Sequence, residues 1–273
     1  MTTQSFTTDN LKELLTFPFQ DDDWKNKFLI GSLIVFAGFA IPLVPFFFLY
    51  GYMMQIMRHI IVEKGKPFLP KWDDWGKLFV DGAKLLGAAL IYMLPVIVLI
   101  TIGSFIIFLL PIVGIPLAIA GGEENPEAAG TMMGILSMIS MATFFIILGI
   151  GMIFGLAIGV VMPAIMGHVA ATDDFGAAFR FKEWWTIFKA NVGGFMLAYL
   201  IVFAISIVLN SILGFLYCTI ILCCVVPLLT APVTLYTTIL SGALFSEAYR
   251  EGVENVERNI IDTPAKNTNQ VEG

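Results

Sequence analysis

Two histidines, His59 and His168, and the acids Asp73, Asp74, Asp81, Asp173, Asp174 and Glu183 are the side chains of this sequence with the most capacity for chemistry. Carboxylates gathered in two short polar stretches can hold a cation jointly, and a histidine beside a carboxylate can move protons. Their positions argue for a quieter role. Each histidine falls at the end of an apolar stretch, where it suits a helix C-terminus, and the acids fall where the next helix starts, facing the positive end of its dipole. Cys218, Cys223 and Cys224 lie inside an apolar run and read as small buried hydrophobes, with no Cys/His spacing that suits a metal. The sequence contains no phosphate-cradling glycine loop, no His-Glu-x-x-His and no serine-nucleophile elbow. No catalytic, cofactor-binding or metal-binding residue is assigned, so the chain reads as a non-enzyme without a cofactor and without a nucleic-acid partner.

The elements that carry these residues follow from composition. Of 273 residues, 58% are hydrophobic and 13% charged, with a mean hydropathy of +0.87. Soluble domains carry about 25% charged residues. No Asp, Glu, Lys or Arg occurs in 28–57, 85–122, 128–172 or 190–246, and apolar runs of about 18 or more residues read as membrane spans. The fold class is therefore all-α, a polytopic helical membrane protein with the lipid bilayer as its first partner.

Basic residues orient the chain, because short loops rich in Lys and Arg stay cytoplasmic. Loop 58–84 holds Arg58, Lys64, Lys66, Lys71, Lys77 and Lys84; loop 173–189 holds Arg180, Lys182 and Lys189; the tail holds Arg250, Arg258 and Lys266. The segment GGEENPEAAG (121–130) has no basic residue and is expected on the opposite side. A helix over 28–57 would be about 45 Å long, beyond a hydrocarbon core of about 30 Å. Pro42 and Pro45 split it into Trp24–Ile41 and Pro45–Ile61, two short spans whose ends Trp and Lys can anchor. Further spans are expected at 85–110, 136–168, 192–216 and 219–247, making about six. PIVGIP (111–116) marks the exit or a bent extension of the third. Residues 1–22 form an amphipathic segment, with Asn10 and Glu13 spaced as a capping box, that lies on the membrane surface or docks on the protein's own loops. Residues 23–252 are the membrane domain and 253–273 a polar cytoplasmic tail. Both termini are expected in the cytoplasm, in a multi-pass protein of the plasma membrane.

Three of the five tryptophans share a spelling: DWKNKF (23–28), DWGKLF (74–79) and EWWTIF (183–188). Each has an acid before the Trp and a Phe four places after it, and seven places after the Trp stand Gly31, Gly82 and Asn191. The motif suits a helix entering the bilayer, with the acid in its first turn, the Trp at headgroup depth and the Phe one turn deeper on the same face. Trp24, Trp75 and Trp184 are thus assigned as membrane-interface anchors. The motif divides the membrane domain into units 23–71, 72–172 and 173–252. If each is a surface-entering segment plus a helical hairpin, the repeats are parallel, around an axis along the membrane normal. Gly151, Gly155 and Gly159 recur every fourth residue and form a face for close helix packing. Packing within the chain is expected, self-association being the alternative.

TFPF with DDDW (16–24), GYMMQIMRHI (51–60), LPKWDDWGKLFVDGAK (69–84) and FGAAFRFKEWWTIFKAN (175–191) together resemble a bacterial and archaeal membrane family, domain of unknown function 4013, over about 16–195. The resemblance implies a multi-span membrane protein and carries over no activity and no site residue.

No ionisable residue lies within the expected spans, and intramembrane ionisable groups are the usual mark of ion coupling. Asn210, Ser206, Ser211, Tyr92 and Tyr199 are the polar candidates there, each able to bond a neighbouring helix. Two functions fit: a non-enzymatic membrane scaffold or accessory component that engages other membrane proteins, or a channel or carrier for a poorly charged or lipid-like solute. The topology predicts that, of single cysteines placed at Thr3, Asn125 and Asn269 in a Cys-free background, only the one at Asn125 reacts with an impermeant reagent in intact cells. Labelling at Thr3 would remove the first hairpin and leave five spans.

Overall fold

A computed structural model describes residues 8–122, 126–217 and 225–262. The three cysteines and positions 3, 125 and 269 lie outside them. The described residues are all-helical: α1 (Thr8–Thr16), α2 (Trp24–Ala37), α3 (Val44–Ile61), α4 (Trp75–Gly122), α5 (Pro126–Thr172), α6 (Phe181–Ala190), α7 (Val192–Tyr217) and α8 (Val226–Ile261). Four helices among them, α4, α5, α7 and α8, are long and apolar enough to cross a membrane.

The proline break falls where the sequence places it. α2 ends at Ala37 and α3 begins at Val44, with Pro45 in its first turn, a position where a missing N–H costs nothing. Leu43 takes a positive φ of 74° in this turn, a conformation costly for a branched side chain. α2 has 14 residues and α3 has 18, about 21 and 27 Å. PIVGIP does not end α4, which continues to Gly122. α8 runs 36 residues, well past the expected end at 247, and carries its charged last turns out of the apolar region. Pro232 lies within it, while Pro227 is accommodated in the first turn.

The chain divides into two compact units, residues 1–89 with 160–273, and residues 90–159. In the first, α8 is the central element and packs against α2, α3, α6 and α7. It supplies buried Leu235, Ile239, Leu240, Ala243, Leu244, Ala248 and Tyr249. Small residues set the closest approaches. A Cβ on Gly51 of α3 would lie 1.9 Å from the Leu78 carbonyl oxygen of α4, and one on Gly82 would lie 1.6 Å from the Phe47 carbonyl oxygen. Each glycine is four residues after the other's contact, so the two backbones meet reciprocally over one turn.

The second unit is an antiparallel pair made by the distal parts of α4 and α5. Gly103 meets Ile147, Gly114 meets Leu136 and Met133, and Gly151 meets Ile100 and Val96. Gly155 has only a peripheral contact with Val96, and Gly159 is half-buried. Buried Ser140 continues the small-residue seam, the pattern by which membrane helices approach without a hydrophobic driving force. Away from the seam the pair exposes apolar residues, including Phe105, Phe108, Met138, Phe145 and Ile153, a surface that water does not tolerate over such an area.

The α3/α4 contact predicts that Gly82→Leu lowers the unfolding midpoint in detergent by the equivalent of about 1–3 kcal/mol or more, through overpacking. Gly130→Ala serves as control, because nothing lies within 4 Å of a Cβ there, and it should leave the midpoint unchanged or slightly raised.

Candidate functional site

The polar residues singled out in the sequence converge in the first unit, around the ends of α3, α5 and α8 and the start of α4. Asp81, in the second turn of α4, is the most enclosed carboxylate among the described residues, its side chain 3% exposed. Arg58, in the last turn of α3, reaches both of its oxygens, Nη1 to Oδ2 at 3.1 Å and Nη2 to Oδ1 at 3.4 Å. The same guanidinium donates to Asp173 Oδ1 at 2.6 Å. Lys84 Nζ, one turn after Asp81, donates to that oxygen at 2.7 Å and to the Asp173 backbone carbonyl at 2.9 Å. Two cations and two carboxylates therefore join α3, α4 and the residue that ends α5. Asp173 has a φ of 56°, a left-handed conformation that Asp tolerates and that terminates a helix. The Lys84 hydrogen bond, assisted by the Arg58 charge, holds its carboxyl below the usual carboxylate range.

His168 occupies a second cluster. Its Nε2 lies 2.9 Å from Glu183 Oε2 and its Nδ1 lies 2.8 Å from the Tyr249 hydroxyl. An ionised carboxylate only accepts, so Nε2–H donates to Glu183 and Nδ1 accepts the Tyr249 O–H. The imidazole thereby ties α5 to α6 and α8. Arg180 pairs with Asp174 and lies 3.7 Å from Glu183. An acid, a histidine and a hydroxyl in sequence have the order of a proton relay, but His168 and Tyr249 are both buried. A cleft of about 180 Å3 lies instead among α1, the 64–67 turn and Glu247 with Arg250. That is small beside ligand pockets of about 300–1,000 Å3. A larger hollow of about 530 Å3 along the start of α5 is lined by Glu127, Ala128, Thr131, Met132, Ile135 and Leu136, with one charged group and no reactive constellation.

His59 does not join His168. Its Nδ1 lies 2.6 Å from Glu63 Oε2, its ring packs edge-on to Phe68, and its carbonyl accepts the Gly65 N–H at 3.1 Å. Asp73 and Asp74 are exposed at the start of α4, where Asp74 Oδ1 accepts the Lys77 N–H at 3.0 Å. That is the helix-starting role expected of them. Among the described residues no three His, Cys, Asp or Glu side chains form a metal-binding group.

The three motif tryptophans occupy different surroundings. Trp24 and Trp75 open α2 and α4; Trp24 is half-buried against Phe19 and Phe28, and Trp75 is 45% exposed. Trp184 is the fourth residue of α6 and only 5% exposed, its indole N–H donating to the Ala178 carbonyl at 3.0 Å. The residues seven places on all serve close contacts. Gly31 faces Leu235 and Trp72, and Gly82 meets α3. Asn191 caps α7, its Oδ1 accepting the Gly194 N–H at 3.2 Å and its Nδ2 donating to the Ala248 carbonyl at 2.9 Å.

Sequence reading did not single out Tyr52, Trp72 or Tyr249. Tyr52 and Trp72 stack at 4.1 Å, the Tyr52 hydroxyl donates to the Pro70 carbonyl and the Trp72 indole to the Lys27 carbonyl. Lys27 closes this lock by donating to the Leu69 carbonyl and to Asp21, which holds the Asp21 carboxyl below its ordinary range. The polar partners in these contacts, backbone carbonyls 18 and 45 residues from Tyr52 and Trp72 and His168 81 residues from Tyr249, follow no local periodicity.

The Arg58–Asp81 pair yields the sharpest energetic expectation. Arg58→Met leaves a buried carboxylate short of its partner and should cost about 3–5 kcal/mol. Lys66→Met, which breaks an exposed pair with Glu13, should leave the midpoint essentially unchanged, because solvent screens such a pair. Thermal unfolding in detergent checks both, and Arg58→Met/Asp81→Leu should recover part of the loss.

A family profile described as protein of unknown function (DUF4013) matches residues 33–218. No curated protein and no solved structure matches the chain. The profile covers both polar clusters except Tyr249 and spans the helices from α2 to α7, and the chain is a member of the DUF4013 family.

Proposed function

We propose that this protein is a non-enzymatic membrane scaffold or accessory component. The observation that carries the reading is how its polar groups are used. Arg58, Asp81, Lys84, Asp173, His168, Glu183 and Asn191 bond to one another or to backbone across helix junctions. The hollows beside α1 and along the start of α5 are lined by other groups, and the smaller is below the size of a ligand pocket. Within the long helices, Thr101, Ser104, Asn210, Thr230 and Thr238 each donate to the carbonyl four residues earlier in their own helix. Tyr199 stacks on Phe203. A carrier needs polar groups converging on a site near the bilayer midplane, and this pattern offers none of these side chains to a solute. The channel or carrier reading is accordingly second.

In this reading the α2–α3 hairpin crosses the membrane as two short spans, completing about six with the four long helices. Both termini then lie in the cytoplasm and the membrane is the plasma membrane. The helix pairs α2–α3, α4–α5 and α7–α8 are the three hairpins of a parallel repeat. The third differs from the others in placing its Trp motif on a separate helix, α6. The polar clusters lie on the cytoplasmic side and give that face a fixed shape for other membrane proteins.

The test reconstitutes the purified chain in proteoliposomes and, in parallel, isolates it from its native membrane in mild detergent. A scaffold gives no saturable flux of uncharged solutes, with or without a pH gradient, and co-purifies with a membrane protein in fixed stoichiometry. Saturable solute flux by the chain alone would overturn the reading in favour of a carrier.

A further inference from the structure

The two neighbouring tryptophans of α6 lie about 100° apart around the helix, one covered and one exposed, and the consequence is a surface. Trp184 and Phe188 are buried toward α8. Bordering that buried face stand Phe181, 57% exposed, and Trp185, 41% exposed, their rings lying against Trp184 and Phe188 respectively, with exposed Lys182 and Lys189 beyond them. At 100° per residue, Phe181, Trp185, Lys189 and Lys182 fill one continuous arc, aromatic at one edge and cationic at the other. Lys189 Nζ lies 5.5 Å from the Trp185 ring centroid, which keeps the charge and the indole at one level.

The local acids do not neutralise this arc. Glu183 is engaged by His168 and Arg180, and Asp174 by Arg180. Among the described residues, neither Lys182 nor Lys189 has an ion-pair partner within 4 Å. Lys25 over Trp24, at 5.9 Å, repeats the Trp–Lys pairing at the start of α2. A Trp ring prefers headgroup depth, and uncompensated lysines beside it attract anionic lipid.

We infer that the exposed face of α6 is a binding surface for anionic phospholipid headgroups, with Trp185 and Phe181 seated in the interfacial layer and Lys182 and Lys189 on the phosphates. Trp185 then takes the anchoring role that the motif assigns to Trp184. The inference rests on membrane embedding and is independent of whether the protein is a scaffold or a carrier.

The full chain, delipidated in a neutral detergent, is titrated with phosphatidylglycerol and with phosphatidylcholine, and bound lipids are counted by native mass spectrometry. The wild type should prefer phosphatidylglycerol. Lys182→Gln/Lys189→Gln should weaken that preference by about fivefold per lysine, as expected for charges at a membrane surface, and high salt should reproduce the loss. Lys12→Gln/Lys64→Gln removes the same charge elsewhere and should leave the preference intact. In vesicles of phosphatidylcholine with phosphatidylglycerol, shallow brominated acyl chains should quench the wild type more than Trp185→Phe. Equal binding of the two lipids, equal loss in the control pair, or quenching unchanged in Trp185→Phe would overturn the inference.

Discussion

A carboxylate at Asp81 is enclosed by protein, and an enclosed charge must be paired or it destabilises the fold by several kcal/mol. Arg58 meets it from the end of α3 and then reaches Asp173, which Lys84 holds from the other side. One buried charge thereby fixes where α3 ends, where α4 begins and how α5 stops. Gly82, the next residue after Asp81, lies against the backbone of α3. The ion pairs and the closest helix crossing are parts of a single junction.

Such a junction matters more in lipid than in water. Acyl chains are as apolar as Leu, so helices gain little by covering one another's hydrophobic faces, and partner choice falls to close backbone approach and polar bonds. Both devices recur along this chain. The distal α4–α5 pair relies on Gly103, Gly114, Ser140 and Gly151. Around α8, Gly242 meets Met53 and Gly167 meets the Tyr249 ring, while His168 and Asn191 add hydrogen bonds from α5 and the α6–α7 junction. The exposed aliphatic surface elsewhere is what a lipid-facing helix requires.

The same residues explain why acids and histidines at helix ends need not mark an active site. Asp81 is buried by its pairing, His168 is tied to Tyr249 and Glu183, and Asp74 starts a helix. Their chemistry is directed into junctions. The residues left facing outward are aromatic and basic, Trp75, Phe181, Lys182, Trp185 and Lys189 among them, a composition suited to the boundary between bilayer and water.

Much of this was legible in the sequence. Charge-free runs longer than a bilayer is thick mark helices apolar enough to cross one, as α4, α5, α7 and α8 are, and Pro42 with Pro45 favours the break between α2 and α3, because each ring removes a helical N–H and crowds the preceding turn. The motif fragments around Trp75 and Trp184, both inside the matched residues 33–218, already marked the family. Of the two readings of PIVGIP, an exit or an extension, the structure has the helix continue, since α4 passes through both prolines. Tertiary structure decided the rest. Trp184 and Trp185 are adjacent and chemically identical, and only the seating of α6 against α8 makes one a core residue and the other a surface one. Nothing near Asp81 in sequence names Arg58 or Asp173, 23 and 92 positions away on either side. Helical periodicity tells which residues share a face, a local property of the backbone; which face is covered, and by what, depends on contacts between distant segments that no local pattern encodes.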